Sequence, residues 1–496
     1  MISLDAIVLA LAQPTLLVGF LAFLGLLFLR RPVAGVLSGV VGAMVGYVML
    51  VPGALVVQES LLRLADAMSR AFGIAVLVPH NEAMAALVQP SVGLATILIL
   101  VFGLLTHLVI ARVTRFRFLF LTAHQSFFMA ALLALVLTAS GLAMPLIVFV
   151  GALLLGVWSS LSPALGQAFT RRVTGDEAVA LGHFGSLGYY LAGWVGARVN
   201  RRYVRETDAS GDGGTEEAPS GGFSSSASGR AVAASALSDS QARSRAASRL
   251  RSTEDIRIPS LSSLLRNVTV TTSLSMTLVF VVAALAAEQP LSAAVVYALF
   301  FAVGIAVILA GLRLLLADVP PLLTALGGRF VPDALPAVDC AALFPYAPSA
   351  VVIGFLCSLS GALVGMVGIG LLTGLWILPS VVPHFFCGAT AGIYGNATGG
   401  LRGAIAGALA NGLLLTALPA LLSLFTGSGV AMTSAGTMSG AFGATTAMAV
   451  AATFGDTDYA ILGTILGALG TTFGPISIAM LAIGVACGVW MWGRKR

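Results

Sequence analysis

The sequence predicts an all-α polytopic membrane protein of about eleven transmembrane helices. They form two inverted five-helix repeats plus a final helix, with re-entrant hairpins. Three observations predict it. The 496 residues are 58% hydrophobic and only 9% charged, against about 25% charged in soluble domains. Apolar stretches free of formal charge, such as 94–111, 118–139 and 268–287, recur at the ~20 residues a crossing requires. Arginines cluster between these stretches, as positive-inside topology demands.

At the start of the chain, LDAIVLALAQPTLLVGFLAFLGLLFLRR lacks a basic leader and a small-residue cleavage site, so it is expected to stay as the first helix. Basic clusters fall at Arg30/Arg31, Arg112/Arg115/Arg117, Arg171/Arg172, Arg198 to Arg266, Arg313, Arg402 and the terminal ArgLysArg. With these in the cytoplasm, spans fall at 14–30, 33–55, 92–111, 118–140, 143–166, 267–287, 292–314, 347–370, 371–395, 402–424 and 468–492. The N-terminus is then outside and the C-terminus cytoplasmic. Residues 59–72 are amphipathic and suit the membrane surface.

Residues 177–197, EAVALGHFGSLGYYLAGWVGA, do not fit as a span, because arginines flank both ends and Gly182, Gly185 and Gly188 interrupt the middle. A re-entrant hairpin is expected, a form tolerated only where it is buried in protein or lines a cavity. The small-residue segment 428–460 is the second candidate. Residues 203–258 are rich in Ser, Ala, Gly, Arg and acids. They bury too little apolar surface to offset chain entropy and are expected to form a disordered cytoplasmic linker. The domains are then a first repeat (1–202), the linker, a second repeat (259–467) and a final helix (468–496).

The chain matches itself weakly at an offset of 258 residues. HNEAMAALVQPSVGL (80–94) falls on VDCAALFPYAPSAVV (338–352), so Asn81 meets Asp339, Pro90 meets Pro348 and Ser91 meets Ser349. Five spans per copy force opposite orientations, and inverted repeats hold substrate near the midplane at corresponding helix breaks.

Few ionisable residues interrupt the apolar segments: Glu82, His107, His124, His183, Asp339 and His384. Such groups are expensive in a membrane and normally face a cavity or a partner. Asp339, between two apolar runs, fits a substrate site and equally a cap on a half-helix. Glu82 with Asn81 fits the site or a loop at the surface. His124 sits in a polar patch with Thr122, Gln125 and Ser126, and His183 at the hairpin turn. His107 and His384 have little polar company and suit structural roles. The four cysteines lack CxxC spacing, and no nucleotide loop, HExxH or GxSxG motif occurs. No metal, cofactor or nucleic acid is expected, and ATP does not drive this chain directly.

Four stretches carry a family resemblance: RFLFLTAHQSFF, VTGDEAVALGHFGS, RFVPDALPAVDCAALFPYAPSAVVIGF and LPSVVPHFFCGATAGIYGNATGGLRGA. With them the chain resembles the ascorbate-type IIC permease subunit of the phosphoenolpyruvate-dependent phosphotransferase system. The resemblance spans nearly the whole chain outside the linker. It implies a homodimer in a bacterial cell membrane, working by an elevator-like motion. It also implies a separate cytosolic IIB subunit that carries phosphocysteine, is charged by IIA, and phosphorylates the incoming substrate. The family's substrate contacts fall on His124, His183 and Asp339.

Three places depart from the ascorbate pattern. Phe128 and Phe184 stand where glutamines are expected, and Asn81 with Glu82 stands for a ThrTyr pair. Phenyl rings in place of amides remove hydrogen bonds that a polar lactone needs. The substrate set is thus His124, His183, Asp339, Asn81, Glu82, Phe128 and Phe184, with Asp339 also a candidate proton acceptor. Two other readings stay open: a proton-coupled secondary transporter using Glu82 or Asp339, and a membrane receptor signalling through the linker.

Overall fold

The computed structural model describes residues 12–175, 178–209, 252–256, 268–438 and 452–494. Helices α1 (Pro14–Phe28) and α2 (Val33–Phe72) lead into strand β1 (Ala75–Pro79), a short helix α3 (Asn81–Leu87) and α4 (Gln89–Val113). Strand β2 (Phe118–Phe120), α5 (Ala123–Ala139), α6 (Met144–Thr174), β3 (Ala180–Leu181) and α7 (Ser186–Ala209) complete the first half.

The second half repeats this order. It runs through α8 (Val268–Ala286), α9 (Leu291–Leu316), α10 (Val319–Phe330), β4 (Leu335–Val338) and a 3-10 turn (Cys340–Tyr346) where the first half has α3. It continues with α11 (Pro348–Thr373), β5 (Leu375–Ile377), α12 (Ala389–Met438), β6 (Ala452–Thr453) and α13 (Thr457–Phe473). Helix α14 (Pro475–Arg494) comes last, without a counterpart among the described residues. An offset of 258 carries β1 onto β4 and α4 onto α11 to within two residues at each end. A kink at Gly400 (φ 60°, ψ −154°) divides α12 into segments that correspond to α5 and α6.

Among the described residues, eight helical stretches are long and apolar enough to cross a membrane, and Pro14–Phe28 and Ala123–Ala139 are shorter apolar helices. The protein is an all-α polytopic membrane protein. Its outer helices turn apolar side chains outward, with Leu278 66% and Met480 69% exposed, as a hydrocarbon solvent permits. Helix α5 lies at the opposite extreme. No residue from Phe127 to Leu137 is more than 1% exposed, which explains why it is apolar on every face.

Several boundaries differ from the expectation, each for a local reason. Helix α2 does not stop at 55 but continues through the amphipathic 59–72. Gly374, in the left-handed region at φ 74°, ends α11 and frees Leu375–Ile377 to form a strand. The span expected at 371–395 is therefore divided. Gly474 (φ 79°, ψ 169°) likewise splits 468–492 into the end of α13 and α14. In the first hairpin region, a non-helical leg around β3 turns at 184–185 into α7, the helical leg. Of the second, 428–460, residues 439–451 lie outside the described residues. The expected linker 203–258 falls mostly outside them too, although 203–209 continue α7 and 252–256 form a turn.

The halves interlock through two small parallel sheets. One has the order β5-β1-β6 and the other β2-β4-β3. Each takes its central strand from one half and both flanking strands from the other. Neither half can therefore satisfy its strand backbone alone, and a buried unpaired backbone group is costly.

A second contact joins α2 to α9 through glycines. A Cβ on Gly311 would lie 2.7 Å from the carbonyl oxygen of Gly46, and one on Gly304 2.8 Å from that of Gly53. Small residues let membrane helices approach backbone to backbone and gain packing.

Candidate functional site

All strands within each sheet are parallel, so their C-terminal ends point one way. The residues just beyond those ends are polar. Strand β2 leads to Thr122 and His124, β3 to His183 and β4 to Asp339. In the other sheet, β1 leads to His80, Asn81 and Glu82, and β6 to Asp456. These segments converge on one cavity of about 460 Å³. Asn81, Glu82, His124, Gln125, Phe128, His183, Asp339 and Asp456 line it, and α9 and α10 close it with Leu309, Leu312, Arg313, Leu316 and Pro320.

Asp339 stands between two imidazoles. Its carboxylate lies 3.5 Å from His124 Nε2 and 4.0 Å from His183 Nε2. His124 is 40% exposed and Asp339 35%, whereas His183 is only 4% exposed. The first two thus meet the cavity directly, and His183 forms its floor.

The floor is held in register by Gln125. Its Oε1 accepts from Phe184 N–H at 3.2 Å and from the Tyr459 hydroxyl. Its NH₂ consequently faces His183 Nε2 at 3.1 Å. On the other side of the ring, Nδ1 accepts from the Gly185 N–H at 3.0 Å and lies 2.8 Å from the Tyr189 hydroxyl. Tyr189 in turn donates to Cys387 Sγ at 3.2 Å.

The remaining expected residues fall in different places. Asn81 lines the cavity, and its Oδ1 accepts from Gly455 N–H at 2.7 Å, joining α3 to the turn before α13. Glu82 lines it too, with Oε2 3.0 Å from His80 Nδ1. Phe128 packs its ring edge-on to His124 at 5.8 Å. Phe184 does not reach the cavity: it is fully buried, stacked on Phe120 at 4.7 Å and edge-on to Tyr459. It supports the floor from behind. His107 and His384 are buried and satisfied, the first by Ser160 Oγ at 2.8 Å and Phe120 N–H, the second by Ser358 Oγ at 3.0 Å. Both serve the fold.

Sequence reasoning missed two acids in GDTDY. Asp456 lines the cavity, 4.0 Å from His183 Nδ1 and 2% exposed. Asp458 stays behind the cavity and caps α7. It accepts from Ser186 Oγ (2.6 Å), Leu187 N–H (2.9 Å), Trp158 Nε1–H (3.0 Å) and Thr457 Oγ1 (3.0 Å). A carboxylate at a helix N-terminus also meets the favourable end of the helix dipole. His183 and its neighbouring Asp and Cys side chains form two groups close enough to suit a metal, His183/Asp339/Cys340 and His183/Cys387/Asp456. The hydrogen bonds that already engage His183 and Cys387 favour the polar floor over that use.

A family model described as the PTS system sugar-specific permease component matches residues 8–211 and 232–458.

Proposed function

The chain belongs to the family of PTS system sugar-specific permease components, and from that premise we propose that it takes up ascorbate or a related carbohydrate for phosphorylation by a separate cytosolic IIB subunit. The observation that carries this reading is the convergence of His124, His183 and Asp339 on one cavity. A carboxylate between two imidazoles can orient a sugar hydroxyl and take its proton. In the proposed step the hydroxyl oxygen attacks phosphorus on the IIB phosphocysteine. The O–P bond forms, the S–P bond breaks to release cysteine thiolate, and the hydroxyl proton passes to Asp339. His124 and His183 stabilise the carboxylate before that transfer, and Asn81 and Glu82 add polar contacts at the rim.

The translocating motion we propose is elevator-like. The polar residues all belong to the strand ends and to α3 and α5, while the facing wall from α9 and α10 is apolar apart from Arg313. An apolar wall lets the polar body slide past it without breaking buried hydrogen bonds. The permease works as a homodimer in a bacterial cell membrane, with its N-terminus outside and its C-terminus in the cytoplasm.

Inverted membrane vesicles test the reading. With phosphoenolpyruvate, the general phosphotransferase proteins and the cognate IIA and IIB, sugar phosphate is expected to form, and Asp339→Asn is expected to abolish it at unchanged protein level. Unchanged phosphorylation in Asp339→Asn would falsify the role given to Asp339. Proton-driven uptake without IIB would replace group translocation by secondary transport through Glu82 or Asp339.

A further inference from the structure

We propose that the cavity selects an uncharged polyhydroxy compound, a sugar or sugar alcohol, over an anion of the same size. The inference rests on the permease reading and narrows its substrate. Three carboxylates line the cavity, and each has a buried oxygen without a hydrogen-bond partner among the described residues: Glu82 Oε2, Asp339 Oδ1 and Asp456 Oδ1. His80 Nδ1 approaches Glu82 Oε2 at 3.0 Å but not in hydrogen-bond geometry. Asp456 is the most telling, being only 2% exposed.

Buried acceptors without donors are costly, and each one in a folded protein calls for an explanation. Sugar hydroxyls supply the missing donors. A ligand carboxylate or enolate brings only further acceptors there, and it brings negative charge where burial weakens screening. The positive groups do not reverse this balance. Arg313, on the opposite wall, offsets one carboxylate of three. His124 already lies beside Asp339, and the Nε2 of His183 is already engaged by Gln125 at 3.1 Å. The phenyl rings of Phe128 and Phe386 offer apolar faces to the C–H side of a sugar. Asp456 shifts the chemistry furthest from a site for ascorbate, because it adds a third acid to the two already visible at 82 and 339.

The test is equilibrium binding to the purified full-length protein in nanodiscs, with no phosphoryl donor. The probes are matched pairs differing only in charge: hexoses and pentoses with their uronic acids, alditols with the corresponding aldonic acids, and L-ascorbate. The uncharged member of at least one pair is expected to bind, with its acid about tenfold weaker or worse, and ascorbate no tighter than the acids. Asp456→Asn is expected to weaken the neutral ligand and shrink the neutral-to-acid ratio, with Asp339→Asn as a second variant should the first not fold. Tighter binding of an acid or of ascorbate, or binding by no member, overturns the proposal. Phosphoenolpyruvate-dependent phosphorylation is scored separately. Neutral-selective binding without phosphorylation would defeat the group-translocation reading and leave the charge preference standing.

Discussion

Asp458 is the residue whose replacement most sharply tests how the binding floor is held. It is 1% exposed and its two oxygens receive four donors, from Ser186, Leu187, Trp158 and Thr457. Asp458→Asn keeps the shape but turns one acceptor into an NH₂ group facing donors. Two hydrogen bonds to a charged acceptor are then lost, each about 1.5–3 kcal/mol, or about 3–6 kcal/mol in total. Ser186→Ala removes one donor and leaves three, for about 1.5 kcal/mol. The damage should reach the cavity, since the Asp458 N–H also donates to the Phe184 carbonyl at 3.0 Å, one residue from His183. Thermal unfolding in detergent, together with equilibrium binding of the best ligand from the charge-matched panel, reads both effects. Asp458→Asn should lose far more in midpoint and affinity than Ser186→Ala. Equal losses in the two variants, or a change under about 1 kcal/mol in Asp458→Asn, would refute the capping argument.

The same geometry sets three further outcomes. A methyl group at Gly182 would lie 2.6 Å from the Ala337 carbonyl oxygen, so Gly182→Ala should push β3 off β4 and displace His183. About 1–3 kcal/mol of stability and most uptake should go, which wild-type transport by the variant would contradict. Tyr189→Phe deletes the hydroxyl 2.8 Å from His183 Nδ1, costing about 1 kcal/mol, or about fivefold in ligand affinity. Unaltered binding in this variant would show that the hydroxyl does not hold the imidazole in place. Glu254 accepts from the N–H groups of Ser349 and Ala350 at 3.1 Å each, at the start of α11. Glu254→Ala should speed hydrogen exchange at those two amides, and an unchanged exchange rate would show that the cap carries no weight.

Much of the architecture was legible because the membrane constrains it severely. Apolar length and arginine placement located nearly every helix, and the offset of 258 found corresponding breaks at Asn81 and Asp339. Both residues come just after the central strand of a sheet. The strands themselves were not legible. They are two to five residues long, and in apolar surroundings so short a run carries no periodicity to separate it from helix. Phe184 shows a related limit. The resemblance set it among the substrate contacts, yet the chain turns at Phe184 and Gly185, and the ring stacks on Phe120 instead. His183 turns to the cavity and Phe184 to the core.

Asp456 was hidden for a different reason, and that reason bears on function. A gapless offset of 258 pairs β1 with β4 but cannot pair β3 with β6, because the second half has extra residues before Ala452. Allowing that insertion sets Asp456, three residues after β6, near the place of His183, two residues after β3. The same architectural position therefore holds an imidazole in one half and a carboxylate in the other, 4.0 Å apart across the internal symmetry. The central strands show the same asymmetry, with an amide at Asn81 and a carboxylate at Asp339. Related backbones thus bring unlike side chains together, and the cavity can bind one face of an asymmetric molecule with acceptors and another with imidazole and phenyl groups. Making the halves alike tests this. His183→Asp would face Asp456 with a second carboxylate and should abolish binding of the neutral ligand while the sheets still form. Retained binding would mean that the symmetry-related positions do not act together on the substrate.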